Sequence, residues 1–222
     1  MRDAVRRYYF PLASLLLLAL TIVGFWDNLV SDTGQPSNSD PKFIIHGVLC
    51  GAWIILLVAQ TWLVRGGNVR LHRRLGIAGA AIATGVTLST IWVFVVIWNG
   101  WAVMAPDVKI NRLLLLSYSL FVILALRLRR RPDWHKRLIF IATLLMLDPV
   151  LGRVYDPLVV PLMTQMTEPQ IDAAFLPWLI LVWLGFFVSL AAYDAIVARR
   201  LHPVTLTGLL WFAAAWTIAL ML

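Results

Sequence analysis

The sequence predicts an all-α protein, a polytopic transmembrane bundle of about seven helices with a cytoplasmic N-terminus. The 222 residues are 61% hydrophobic and only 14% charged, which is far more apolar than an average soluble domain. Apolar runs of about 20 residues, enough to cross a hydrocarbon core of roughly 30 Å, recur along the whole chain. Most Lys and Arg residues lie in every second connection between these runs. Together these observations predict a multi-pass protein of the cell inner membrane.

The helices follow from apolar windows along the chain. The first window comes after the basic segment MRDAVRRYYF and lacks a small-residue cleavage pattern, so it is predicted to be a retained span rather than a signal peptide. The fourth window is the shortest, and the fifth contains charged residues and proline. The windows lie near 9–30, 43–64, 76–98, 113–128, 138–162, 175–197 and 204–222.

Each window is predicted to be helical, because backbone polar groups cannot remain unpaired in hydrocarbon and no window alternates like a barrel strand. No segment is left over for a soluble domain, so residues 1–222 are predicted to form a single integral membrane domain. The connection SDTGQPSNSDPK is polar and predicts an exposed outer loop. The connection WNGWAVMAPDVKINR is predicted to lie along the outer surface, because tryptophan rings favour the headgroup level.

The basic residues set the orientation of the helices. If seven helices alternate, most of the 19 Lys and Arg residues fall on one side, which is then cytoplasmic because short cytoplasmic loops hold the excess of positive charge. Those residues are Arg2, Arg6, Arg7, Arg65, Arg70, Arg73, Arg74, Arg127, Arg129, Arg130, Arg131, Lys136, Arg137, Arg199 and Arg200. The formal charge of +8 therefore indicates contact with anionic lipid headgroups of the bilayer, and nucleic acid is not an expected partner.

Three of the four histidines lie at the cytoplasmic starts of predicted helices. His72, His135 and His202 open helices three, five and seven, and Asp194 near the end of helix six has about the same depth. Imidazole suits haem iron or zinc, and a carboxylate completes a zinc shell or fixes a histidine tautomer. One interpretation is a shared metal or haem site. The other is that the histidines are solvated in the headgroup zone and that Asp194 forms a salt bridge with Arg199, Arg200 or a neighbouring loop.

A second polar cluster lies inside helix five, in LLMLDPVLGRVYDP. Asp148 falls near the bilayer midplane, and Arg153 and Asp156 follow on the outer half. A charge at that depth costs at least ~2.5 kcal/mol on insertion scales, so Asp148 is expected to face the protein interior and to have a partner. Either an Asp148–Arg153 pair holds helices together, or the cluster is a substrate, ion or proton site with His46 and Gln60 of helix two as neighbours.

Motifs of soluble enzymes are absent from the sequence. The chain has no Gly-rich phosphate loop, no G-x-S-x-G, no H-E-x-x-H and no C-x-x-C. The single cysteine, Cys50, lies inside an apolar run, so an intramolecular disulfide is excluded. The histidines and the polar cluster of helix five are therefore the candidates for chemistry.

Several segments of the sequence resemble segments of known membrane-protein families. They are FIIHGVLCGAWIILLVAQTWLV with HRRLG, RRPDWHKRL with LDPVLGR, and YDAIVARRLHP. With them, the chain resembles a family of uncharacterised bacterial multi-pass membrane proteins, over residues 43 to 208. Helices two to five also resemble cytochrome b561-type proteins, whose third helix likewise opens with a histidine followed shortly by Leu-Gly.

The second resemblance implies b-type haem bound by pairs of histidines. It assigns His72 and His135 to a haem on the cytoplasmic side and His46 to a haem on the outer side, with arginines suited to the propionates. The histidine that the family carries on helix four is missing, because NRLLLLSYSLFVIL contains none. The resemblance therefore implies a single cytoplasmic-side haem b.

Three functions remain open at this level. The first is a b-type haem protein that transfers electrons to a redox partner. The second is a zinc-dependent membrane hydrolase that uses His72, His135, His202 and Asp194 on a small-molecule substrate. The third is a transporter or a structural membrane protein without a cofactor, in which the polar cluster of helix five lines a path or joins helices. A homo-oligomer is compatible with each function.

Overall fold

A computed structural model describes residues 1–31 and 34–222, and in this part of the chain all regular secondary structure is helical. The predicted all-α class is therefore confirmed. The α-helices are α1 (Arg2–Gly24), α2 (Pro41–Arg65), α3 (Val69–Val96), α4 (Pro106–Arg127), α5 (Pro132–Leu144), α6 (Asp148–Leu158), α7 (Glu168–Ala198) and α8 (Pro203–Met221). A short π-helical segment at Asp27–Ser31 and 3₁₀ turns at Pro36–Asn38, Trp101–Val103 and Val160–Leu162 lie between them.

Among the described residues, six helices are long and apolar enough to cross a membrane: α1, α2, α3, α4, α7 and α8. α5 and α6 meet the same criterion only as a pair, which is bent by 56° at a short break. By length and composition the protein is therefore a multi-pass membrane protein with six spans, or seven if the bent pair also crosses. The predicted bundle of about seven transmembrane helices agrees with this range.

The helix boundaries differ from the predicted windows in several places, and α3 and α7, for example, begin at Val69 and Glu168, well before the windows 76–98 and 175–197. α1 begins at Arg2, because a helix continues through polar turns that a hydropathy window leaves out, and it ends at Gly24. α4 begins at Pro106, which is favoured at a first helical position, so part of the connection predicted to lie on the outer surface is helical. The window 138–162 is divided between α5 and α6.

Two compact units make up the described chain. The first, Met1–Trp98, contains α1, α2 and α3, and the second, Asn99–Leu222, contains α4 to α8. His46, Gln60 and His72 belong to the first unit. All other residues predicted for a site belong to the second.

In the first unit α2 packs along both α1 and α3. Ser14 of α1 and Thr61 of α2 share a hydrogen bond between their hydroxyls at 2.9 Å. Leu49 of α2 fits against Gly85 of α3, where a Cβ would lie only 2.9 Å from the leucine Cδ2. Glycine at position 85 therefore lets these two helices approach closely.

In the second unit α8 packs against α4, α5 and α7. A Cβ at Gly208 of α8 would lie 2.8 Å from Cδ1 of Ile141 on α5, so the glycine permits the close contact of these helices. The indole Nε1 of Trp211 on α8 donates to the hydroxyl of Ser117 on α4 at 2.7 Å. Most of the second half of α5 is buried, so this helix forms the core of the unit.

The break between α5 and α6 follows from the sequence LDPV. Pro149 has no N–H, so the carbonyl of Leu145 lacks the donor that a continuous helix would place there. At the end of α5, the carbonyl of Leu144 accepts a hydrogen bond from Nε1 of the buried Trp183 at 2.6 Å. A buried carbonyl has to be paired, so Trp183 of α7 stabilises the end of α5 at the break.

We predict that α5 and α6 together cross the membrane. The basic segment 127–131 and the pair Arg199 and Arg200 then lie on the same side, as the positive-inside rule requires, whereas a re-entrant pair would separate them. The check is labelling of Arg130→Cys and Arg200→Cys, each in a Cys50→Ala background, with a membrane-impermeant maleimide on intact cells. Both variants should react only after permeabilisation.

The matched control is Thr164→Cys, in the connection between α6 and α7, which should react from the outside. Reaction of Arg200→Cys in intact cells, with Arg130→Cys protected, would show instead that the bent pair enters and leaves on one side.

Candidate functional site

Asp148 is a buried carboxylate at the break between α5 and α6. It is the first residue of α6 and is only 6% exposed. A helix N-terminus carries partial positive charge, so the position favours an anion. If the α5–α6 pair crosses the membrane as predicted above, the break at Asp148 falls between the two ends of the span, and the carboxylate then lies inside the hydrocarbon core.

The two carboxylate oxygens of Asp148 have different surroundings. Oδ2 accepts a hydrogen bond from Nδ2 of Asn111 on α4 at 2.5 Å. Oδ1 is buried and has no hydrogen-bond partner among the described residues. Leaving a buried polar group unpaired costs about 1–3 kcal/mol, and more when the group is charged. One oxygen of Asp148 is thus held by the fold, and the other is open to a ligand.

Asp107 in the first turn of α4 is the charged residue with the clearest electrostatic effect on Asp148, and it is also an acid. Like charges in a medium of low dielectric repel, so Asp107 adds repulsion rather than compensation. One interpretation of the sequence pairs Asp148 with Arg153; the hydrogen bond that the structure gives Asp148 comes from Asn111. Asp156, the third member of the predicted cluster in α6, is exposed.

Asn111 is not among the residues that the sequence predicts for this site. Its segment is rich in tryptophan and predicts a surface connection, whereas the structure begins α4 at Pro106 after the extended residue Ala105. The signal that could have found Asn111 is this proline, because proline favours the first turn of a helix and extended backbone before it. A helix that starts there carries Asn111 in its second turn.

The second charged cluster of this unit is fully hydrogen-bonded. Oδ1 of Asp194 accepts from Nε and Nη2 of Arg137 at 2.8 and 2.5 Å. Oδ2 accepts from the hydroxyl of Thr205 at 2.6 Å and from the backbone N–H of His202 at 3.0 Å. Asp194 is 0% and Arg137 2% exposed. Asp194 thus forms a salt bridge, but its partner is an arginine of α5 rather than Arg199 or Arg200, and the bridge joins α5, α7 and the start of α8.

His202 caps the start of α8. Its Nδ1 accepts a hydrogen bond from the N–H of Val204 at 3.2 Å, which requires a lone pair on that nitrogen. Burial lowers the pKa of His202, and the guanidinium of Arg137 lowers it further, so the neutral ring is favoured. Both carboxylate oxygens of Asp194 and Nδ1 of His202 are therefore engaged within the fold.

The remaining histidines lie in separate surroundings. Nδ1 of His135 is 2.9 Å from the carbonyl oxygen of Ala125 in α4, and Nδ1 of His46 is 3.1 Å from the hydroxyl of Ser89 in α3. His72 lies in the first turn of α3. In the described part of the chain, no group of three or more His, Cys, Asp or Glu residues is arranged to hold a metal ion. The zinc site and the haem site therefore stay predictions.

Comparison of the chain with protein-family models, curated proteins and solved structures gives no match. The resemblances carried by the sequence phrases therefore stay predictions, and the chemistry rests on the geometry of the site itself. In that geometry, one oxygen of Asp148 accepts a hydrogen bond and the other has no partner among the described residues, whereas both oxygens of Asp194 accept hydrogen bonds.

Replacing Arg137 with methionine should destabilise the protein strongly. The change leaves the buried carboxylate of Asp194 without its cation, and breaking a buried pair in this way costs about 3–5 kcal/mol. The measurement is the free energy of unfolding in mixed detergent micelles, followed by tryptophan fluorescence.

The matched control for this variant is Asp133→Asn. Asp133 lies 3.7 Å from the same guanidinium but is 74% exposed, so its loss should cost less than about 1 kcal/mol. Similar losses in Arg137→Met and Asp133→Asn would show that the buried pair does not stabilise the junction of the three helices.

Proposed function

We propose that the protein is an ion-coupled membrane transporter and that Asp148 is the carboxylate that binds the ion. The observation that carries this proposal is the buried Oδ1 of Asp148, which has no partner among the described residues and lies at the break of a bent helix pair. A purely structural carboxylate would be expected to use both oxygens, as Asp194 does in the same unit.

The broken helix supports this proposal independently of the carboxylate. Irregular backbone at membrane depth is tolerated where it is buried in protein or lines a cavity, and transporters commonly build their ion sites from such discontinuous helices. Here the break combines the carbonyl end of α5 with the N-terminus of α6. The two helix ends supply partial charges of opposite sign around Asp148.

The energetic balance at Asp148 also favours binding of a positive ion. An ionised carboxylate in the membrane interior is costly, and such residues commonly mark ion pathways or proton relays. A single amide donor compensates little of this cost, and Asp107 adds repulsion. A bound cation or proton neutralises the charge and removes both penalties.

Asp148→Asn should abolish ion movement while leaving the fold intact, because the amide has the same size as the carboxylate and cannot take up a charge. The measurement uses purified protein in liposomes with an imposed membrane potential, followed with a trapped pH dye and with radioactive sodium. The wild-type protein should move at least one of the two ions, and Asp148→Asn should fall to the level of empty liposomes.

The matched control is Asp156→Asn, which removes an exposed carboxylate of the same helix and should retain wild-type flux. Equal fluxes in wild type, Asp148→Asn and empty liposomes would remove the transport proposal.

A second candidate function is b-type haem binding at His135, favoured by the hydrogen bond of its Nδ1. A carbonyl only accepts, so Nδ1 of His135 donates to Ala125. Histidine ligands of metals usually have this arrangement, with the second ring nitrogen donating to a carbonyl or carboxylate.

The haem candidate predicts a Soret band in protein purified from haem-sufficient cells. His135→Ala should remove or shift the band, whereas His46→Ala should leave it in place. Protein that shows no Soret band after expression and after addition of haem would eliminate this candidate.

A further inference from the structure

We infer that the ion bound by Asp148 is a proton, held on Oδ1, and that Asn111 is the residue that positions the carboxylate for it. This inference rests on the transport function proposed above. It specifies which ion is bound: among small cations, the proton is the one that binds through a single lone pair.

The ligands around Asp148 suit a proton better than a metal cation. Hard cations bind through several oxygens, six to eight in the case of calcium. Among the described buried side chains, Oδ1 of Asp148 is the oxygen at this site without a hydrogen-bond partner, and the carbonyl of Leu145 left by Pro149 adds a second oxygen, which is far fewer than six. Asn111 turns its NH₂ group toward Asp148, and an amide nitrogen that donates a hydrogen bond does not coordinate a cation.

A proton fits the same geometry without further ligands. On binding, one O–H bond forms between the proton and Oδ1, and the carboxylate becomes a neutral carboxyl group. Nothing is oxidised and no group leaves, and the reverse step breaks the same bond. The neutral form loses both the penalty of a buried charge and the repulsion from Asp107.

The charged groups on the elements around Asp148 lie mainly on α4 and α6. α4 carries Asp107, the buried Lys109 and Arg112, of which Asp107 acts on Asp148, and α6 carries Arg153 and the exposed Asp156 on later turns. α7, which packs against α6, meets it with aromatic rings: Phe175 and Trp178 lie 5.2 and 5.1 Å from the ring of Tyr155. The end of α5 is apolar and buried. This environment favours the neutral carboxyl group over a carboxylate bound to a hydrated cation.

Asn111 decides which oxygen takes the proton. Its hydrogen bond occupies Oδ2 at 2.5 Å and fixes the carboxylate plane, so Oδ1 remains as the acceptor. The same bond stabilises the ionised form, because a donor to a carboxylate is stronger than a donor to a neutral acid. Asn111 therefore also allows the proton to leave.

Separate measurement of the proton flux and the sodium flux distinguishes this inference from the transport proposal. In liposomes with an imposed potential, we expect an Asp148-dependent proton flux that persists when sodium is replaced by choline. A sodium flux that depends on Asp148, with no proton flux, would overturn the proton while keeping the transporter. No flux that depends on Asp148 would overturn both.

Infrared spectroscopy tests the protonated state without transport. The difference spectrum between high and low pH should contain, beside the bands of the other carboxyl groups of the chain, a carbonyl stretching band of protonated Asp148 in wild type, and this band alone should be lost in Asp148→Asn. The band should be kept in Asp156→Asn. An unchanged band in Asp148→Asn would show that another residue takes the proton.

The positioning role of Asn111 has its own test. Asn111→Leu removes the donor at similar volume, and the pH of half-maximal proton flux should move upward by about one unit, since a hydrogen bond to the ionised form is lost. Asn111→Gln, which restores an amide, should bring the midpoint back toward the wild-type value. A lower flux with an unchanged midpoint would show that Asn111 is only structural.

Discussion

A backbone carbonyl that loses its helical partner inside a membrane needs another donor, and the second unit of this protein is organised around one such carbonyl. The carbonyl of Leu144 ends α5 and is paired with the indole of Trp183. The same carbonyl also accepts a longer hydrogen bond from the N–H of Leu147 at 3.2 Å, so the indole supplies a second and shorter one where the helix breaks. The hydrogen bond from Trp183 therefore stabilises the end of α5 at the point where the α5–α6 pair bends, next to Asp148.

The other end of α5 is fixed just as firmly. Arg137 in its second turn binds Asp194 of α7, while Trp183 of the same helix holds its last residue. α7 therefore forms hydrogen bonds with α5 near both ends of α5. α4 also packs against α5, and Asn111 of α4 meets Asp148 just beyond the break. Because α5 is held at both ends and packs against α4, it fixes the distance between the amide of Asn111 and the carboxylate of Asp148. A site for a small ion requires such a fixed distance.

The sequence predicts the parts of this arrangement that depend on local pattern. Hydropathy finds the spans, and the prolines and charges of LLMLDPVLGRVYDP mark helix five as irregular and polar. The partners are harder to predict, because contacts between helices depend on packing angles that a sequence pattern does not contain. Arg137 and Asp194 are 57 residues apart. Asn111 is hidden by a different effect: the tryptophans before it predict an interface and obscure the start of a helix.

Asp148 and Asp194 show how burial alone leaves the role of a carboxylate open. Both are buried in the same unit, and both lie at the end of a broken or terminating helix. Asp194 accepts four hydrogen bonds, one pair from a cation, so its ionised form is already compensated and a further ligand would gain little. Asp148 accepts one bond from a neutral amide and lies near a like charge. Because the charge of Asp148 is uncompensated, Asp148 gains more free energy than Asp194 on binding a positive ion. We therefore assign the ion to Asp148.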